Sequence, residues 1–550
     1  MAEPALSGDS LIQLEVRLCQ YLYVGKEYPN YQPGNWFFHK YYEEGRVQSI
    51  KKIAETQNPL VAIDLIKKAF ERKLVQNSET LIFALAVCAR QTENENLRHA
   101  AYNAIKTICT TPQHFILFVK FASQIAKSAP EPKHGWGAGW RKAVNEWYLS
   151  KDALDLAKCV TGCKGRYGWT HKDIVKLSHP KTDDIAKKAV LKYVLFGLKE
   201  TIKDFGDKPE AAEVIEYIQK IENFKHCEDQ VLAGRLLELH NLTLDHVPGH
   251  LLKSEEVWNS LIPTMNITML LHNLQRMHNI GILEPTGTAV DKVVDEICNQ
   301  EKLLKEKIHP ALVLITIKNY EKSGPALSYE KQKARKAKAR SVIPPPKPTR
   351  KIIEALYKTL GYSFNSLAPT GLRYMITIDM SKAMQDNSAW RCGNLSSAEA
   401  GCLIALCLLR SENNVTVATF KNIGVHIVYL NKNASLGQIV KKMKQMPTGE
   451  VNLEKPMIWA AQKSEEIDVF INVVDVVDKR CGNGARTDNP RKAIKEYRSK
   501  MELKNAKLVT CAMTTAQMVP HSDDDKNTLT ICGFDENVPK IIEAFARSLF

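Results

Sequence analysis

Apolar residues recur at three- and four-residue intervals over most of the first 320 positions, the spacing that lines one face of a helix. Leu60–Lys73, Glu79–Arg90, Glu95–Cys109 and Pro112–Ser128 follow it. So do Trp140–Ser150, Thr170–Ser178, Glu213–Glu222, Cys227–Leu239, Ser254–Ile262 and Asn266–His278. Pro59 and Pro112 stand where a first helical turn tolerates a residue without an amide hydrogen. Roughly 15 helices with short connections and no 34-residue consensus predict an irregular α-solenoid of stacked helix pairs. Such a stack presents a long concave surface to a partner.

The pattern changes at Ser341–Lys351, where Pro344, Pro345, Pro346 and Pro348 forbid a helix. Beyond it, Tyr374–Asp379, Val415–Phe420, Asp468–Asp475 and Lys507–Ala512 read as short buried strands. Helical patterns alternate with them at Ala398–Arg410, Leu436–Met446, Arg491–Met501 and Val538–Leu549. That alternation predicts a parallel, Rossmann-like sheet with helices on both faces. Two domains are expected: residues 1–350, mainly α and ending in a basic, proline-rich linker at about 325–350, and an α/β domain at 351–550.

Composition narrows the class. With 44% hydrophobic and 25% charged residues the 550-residue chain reads as folded and soluble. It has no apolar run near the roughly 20 residues that span a bilayer. Met1–Leu11 lacks the apolar core of a secretory signal. Thirteen cysteines, an odd number set mostly in apolar helical patterns, point to buried thiols in a reducing compartment, so a cytoplasmic location is expected. Cys159 and Cys163 read as packing on one helical face. The formal charge of +15 suggests a polyanionic partner, and its distribution sharpens the point. Glu330–Lys351 holds nine bases against one acid, and Lys158–Lys181 holds six against Asp173. The run at 331–340 also suits a nuclear import receptor, so shuttling to the nucleus is compatible with the sequence.

The second basic cluster lies on a legible element. Thr170 and Asp173 have capping-box spacing ahead of Ile174, Val175 and Leu177. Helical geometry turns Ile174 and Leu177 to the core and sets Lys172, Lys176 and His179 on another face, and His171, at the helix start, is counted with them as a candidate contact to the polyanion. Lys164 and Arg166 stand just upstream in a loop. Guanidinium, ammonium and helix-start N–H groups together suit phosphate oxygens. In Asn266–His278, the stripe Ile267, Leu270, Leu271, Leu274 and Met277 leaves His272, Asn273 and Arg276 on a face able to contact a single strand. Trp136, Trp140 and Trp147, at helical spacing, are expected in the core. No P-loop, nucleophile elbow, His-Glu-x-x-His helix or catalytic carboxylate cluster is present, so no enzyme is expected and no catalytic residue is assigned. Asp523–Asp525 reads as a solvent loop.

Several phrases resemble the sixty-kilodalton Ro (SS-A) autoantigen family of TROVE-module proteins. They are Gly168-Trp-Thr-His-Lys-Asp173, Leu177-Ser-His179, Ile308-His-Pro310, Pro456-Met-Ile-Trp459 and Cys532-Gly-Phe-Asp535, in family order along nearly the whole chain. The resemblance implies a ring of HEAT-like helical repeats closed by a von Willebrand A domain. It also implies that small noncoding Y-type RNAs bind outside, and single-stranded ends of misfolded RNAs bind in the hole. The family's RNA-contacting positions fall on Arg166 and His179, with Lys164 close by, and a further basic one falls on Gly162. The resemblance places Asn273 and Arg276 near the ring interior. The family's A domain holds a divalent metal through an aspartate, two serines, a threonine and a further carboxylate. Here Asp379, Ser381 and Asp475 remain, but the second serine is Ala383 and the Gly-Thr-Asp loop is Glu450-Val-Asn452, so no metal or other cofactor is expected. RNA is the expected partner, with no membrane or DNA. A protein-interaction scaffold is the rival reading.

Overall fold

The computed structural model describes residues 10–34, 40–128, 136–326, 346–422, 424–476, 489–515 and 526–550. The basic run at 331–340, residues 341–345 of the proline segment and Asp523–Asp525 lie outside the described residues. The chain forms two compact units, one of residues 1–27 and 36–264, the other of 28–35 and 265–550. Strands in chain order are β1 (Asn30–Tyr31), β2 (Gly165–Arg166), β3 (Trp169–Thr170), β4 (Arg373–Ile378), β5 (Ser388–Ala389) and β6 (Cys392–Ser396). They continue with β7 (Asn414–Lys421), β8 (Gly424–Ile427), β9 (Val469–Val474), β10 (Lys507–Ala512) and β11 (Thr528–Cys532).

The first unit is helical, each helix packing on others one to four places along the chain. Its centre is Ser78–Ala89, buried from Thr80 through Ala89, the all-round apolar pattern of a core helix. Thr80 Oγ1 donates to Leu22 O at 2.6 Å, so the hydroxyl is satisfied in this dry site. A second core lies where Ala138–Leu149 meets Pro112–Ser128. The Trp147 ring stacks on Phe115 at 3.9 Å, and its Nε1–H donates to Cys109 O at 2.7 Å. Trp140 and Trp147 are both buried, as their spacing predicts, and Trp136 is half-buried beside Trp140 and Trp169.

The second unit is built on a seven-stranded sheet in the order β1-β11-β10-β9-β4-β7-β8. Every residue of β9 and β10 is buried, as strands covered on both faces require. The sheet is mixed rather than parallel throughout, because β8 pairs antiparallel with β7. At the opposite edge β1 pairs parallel with β11, and Tyr31 Oη donates to Asp535 Oδ2 at 2.7 Å. Burial pushes the Asp535 carboxyl up to about 6. At the start of β10, the Lys507 ammonium caps the end of helix Val538–Ala546, donating to Phe545 O, to Ala546 O at 3.2 Å and to Ser548 Oγ at 2.7 Å.

The packing boundary at 264/265 precedes the compositional boundary near 350. The reason is the helix Pro310–Glu321, which packs on Arg350–Ser363, β6 and Ser397–Ser411, with Lys318 Nζ 2.7 Å from Glu399 Oε1. His309 caps that helix, its Nδ1 accepting from Ala311 N at 3.1 Å. The phrase Ile308-His-Pro310 is therefore a helix start.

Candidate nucleic-acid interface

Helix Ala153–Gly162 leads into the hairpin β2–β3, which pairs Gly165 with Thr170 and Arg166 with Trp169. Its two-residue turn, Tyr167 and Gly168, has φ of 55° and 81°, the two positive values of a type I′ hairpin. A tyrosine in that region costs about 1 kcal/mol or more. The Tyr167 Oη–H offsets part of this by donating to Glu79 Oε1 at 3.3 Å. At Gly165 a Cβ would lie 2.7 Å from Trp169 O, so only glycine closes the ladder. The Arg166 guanidinium, exposed, lies 5.7 Å from the Tyr167 ring.

Helix His171–Ser178 begins on the predicted capping box. Asp173 N donates to Thr170 Oγ1 at 3.2 Å, and the Asp173 carboxylate accepts from Thr170 N at 3.0 Å and Thr170 Oγ1 at 2.6 Å. His171 N donates to Lys164 O at 3.2 Å. Two of the first-turn amides are thus consumed internally, so side chains rather than the helix start remain to meet an anion. Lys164, Arg166, Lys172, Lys176 and His179 are all exposed. Among the described residues none of the five has an acidic partner. His179 ends the helix at φ 51°, turned out to solvent.

Two expectations are corrected. His171 is 2% exposed, its Nδ1 2.8 Å from Tyr148 Oη and its ring against Trp147, and burial lowers its pKa to about 4. A neutral, buried imidazole offers no charge to phosphate, so His171 is a core residue. Leu177 is 40% exposed instead of buried. The buried stripe is His171, Ile174, Val175 and Ser178, spaced at positions i, i+3, i+4 and i+7, because the bond to Tyr148 admits the histidine. Gly162 lies against His246, and a Cβ there would meet Nε2 at 3.3 Å. Tyr167 and Glu79, which fix the hairpin, escaped sequence reasoning because nothing local links residues 88 positions apart.

Asn273 and Arg276 belong to the other unit, on helix Ile267–Asn279, whose buried stripe is the predicted one with His278 added. Arg276 is exposed, while Asn273 is half-buried and its Nδ2 donates to Met269 O at 2.8 Å. Beside them His272 lies 3.5 Å from Glu536, a bond that raises the imidazole pKa.

The family models decide what these elements amount to. The model of the TROVE domain matches residues 55–230 and 191–360, and that of the Ro60 vWA domain matches 373–546. The chain belongs to the Ro60 family. A Ro60 relative, "RNA-binding protein RO60" of Caenorhabditis elegans, is 24% identical over 90% of this chain and 83% of its own length. The Ro60 protein of that name from Deinococcus radiodurans is 26% identical over 86% and 82%. The fold matches the crystal structure of the Deinococcus radiodurans RO (RSR) protein with a TM-score of 0.80, at 22% identity, over 98% of this chain and all of that one.

The strand ends where a divalent metal would sit in a Ro60 A domain do not fit one. Asp379 follows β4 and Asp475 follows the neighbouring β9, both buried. Ser381 N and Oγ donate to Asp379 at 2.8 and 3.0 Å, and Thr514 Oγ1 donates to Asp475 Oδ1 at 2.6 Å. Val451, in the threonine position, packs with Phe420, Leu453 and Val474. Asn452 Oδ1 accepts from Glu454 N at 3.0 Å, and Lys382 is exposed. A hard cation needs about six oxygens, and here both carboxylates already accept from neighbouring hydroxyls, Asp379 from Ser381 and Asp475 from Thr514. The melting temperature of the intact chain should therefore be the same in EDTA and in millimolar Mg²⁺, since only a bound ion adds stability. A rise of several degrees with Mg²⁺, abolished by Asp379→Ala, would show a working site.

Proposed function

We propose that this chain binds small, structured noncoding RNAs of the Y type through Lys164, Arg166, Lys172, Lys176 and His179. On this reading it also holds single-stranded ends of misfolded RNAs at Asn273 and Arg276. It acts as a cytoplasmic RNA quality-control component that works by binding and not by turnover. The observation that carries the reading is the hairpin-and-helix ridge, whose exposed cations have no acidic partner among the described residues. A rigid row of cations reads backbone shape and phosphate spacing and makes little use of base edges. The names of the two relatives, both RNA-binding proteins, support it.

The test is to crosslink RNA to the native protein and sequence it, then to titrate the recovered species. Small structured RNAs should be enriched, and a duplex with a single-stranded tail should bind more tightly than the blunt duplex or the tail alone. Affinity should fall steeply as salt rises. Recovery of polypeptides without RNA would replace the proposal with a protein-interaction scaffold, and equal affinity for tailed and blunt duplexes would remove the single-strand part.

A further inference from the structure

At the β8 edge of the sheet, the ladder with β7 runs from Lys421–Gly424 to Ala418–Ile427, closed by Val428 N donating to Val417 O at 2.8 Å. Beyond that point the chain peels away from β7 and opens a notch of about 290 Å³. Thr416, Tyr429, Trp459 and Glu465 are in its wall. Trp459 is half-buried, packed against the sheet core on one side. Tyr429 is 84% exposed, a large ring held in water.

The segment carrying Tyr429 is tied down at its carbonyls. Arg410, its guanidinium 4.2 Å from the Phe364 ring centre, donates from Nε to Lys432 O at 2.9 Å and from Nη2 to Ala434 O at 3.0 Å. The Lys442 ammonium donates to Tyr429 O. Lys432 is exposed three residues beyond Tyr429, and Lys441 is exposed on the last turn of helix Leu436–Lys444, next in the chain to the Lys442 that makes this bond. Fixed backbone, exposed aromatic ring and nearby cations are the parts of a stacking platform for a single strand.

We propose that this notch binds a single-stranded RNA segment, with a base stacked on Tyr429 beside Trp459 and the adjoining phosphates met by Lys432 and Lys441. The proposal rests on the reading that the chain binds RNA, and it extends that binding to the α/β unit. An acidic peptide would also be drawn to the lysines, but an acidic side chain brings no planar face to lie on the Tyr429 ring, whereas an aromatic face suits every base.

The test uses the full chain carrying Arg166→Ala, His179→Ala, Asn273→Ala and Arg276→Ala, and an oligouridylate of about ten nucleotides containing 4-thiouridine. Adding Tyr429→Ala should weaken binding about five- to hundredfold. Tyr429→Phe should retain affinity, because the π face is kept. Crosslinks mapped by mass spectrometry should fall on the peptides holding Tyr429 or Trp459. Crosslinks confined to residues 136–326, with no effect of Tyr429→Ala, would overturn the notch and leave the RNA-binding reading standing. Failure of the unmutated chain to bind any RNA would overturn both. Tyr429-dependent binding of polyglutamate in place of the oligonucleotide would make the notch a peptide site and end the proposal.

Discussion

Replacing Arg166 and His179 together by alanine is expected to weaken binding of a structured small RNA by about 2–4 kcal/mol while the fold stays intact. The size follows from removing a guanidinium and an imidazole from contact with phosphate, each worth more than a neutral hydrogen bond. The fold should stay intact because both side chains are exposed and neither has an acidic partner among the described residues. The backbone that carries them is fixed by other groups: Gly165, the Tyr167–Glu79 bond and the Thr170–Asp173 box. Gel-shift titration measures the affinity and circular dichroism the fold. Unchanged affinity with an intact spectrum would remove this face from the account.

Trp147→Ala should give the opposite signature, with stability and affinity lost together. Truncating a fully buried tryptophan costs about 3–5 kcal/mol. Here it also leaves Cys109 O without its 2.7 Å donor and removes the ring on which Phe115 and His171 rest. His171 begins the helix that carries Lys172, Lys176 and His179, so the loss reaches the basic face through one contact. Trp147→Phe keeps most of the ring and loses the Nε1–H, and it should cost less. Hydrogen exchange across residues 138–178 is the suitable readout, because two compact units need not unfold in one step. Unaltered protection there would show that Trp147 does not hold this core.

The contrast between the two variants reflects what the sequence makes legible. Helix positions came through wherever periodicity and a cap agreed, as at Thr170 with Asp173 and at Asn266, whose side chain accepts from Met269 N at 2.7 Å. The strands β4, β7, β9 and β10 were visible because strands buried largely on both faces are rich in apolar and β-branched residues, broken within the strand only by threonine or asparagine. The short edge strands β1 and β8 were not, since two or four residues carry no period. The exposed row at 172, 176 and 179 followed from helical spacing, but assigning His171 to it did not hold. Whether a histidine lies inside or outside depends on a partner such as Tyr148, 23 positions away, which no local pattern reveals.

The pairing of β1 with β11 sets an order on biosynthesis. Tyr31 and Asp535 are 504 residues apart. At about 5–20 residues per second a ribosome needs about 25–100 s to cover that distance. Throughout that interval the helices of the first unit can form from local contacts, while Asn30 and Tyr31 wait for a strand not yet made. Once β11 emerges, its outer edge is bare until the waiting segment arrives, and a bare edge invites pairing with another chain. A chain lacking residues 28–35 would keep that edge bare, and is therefore expected to be prone to aggregation and to chaperone capture.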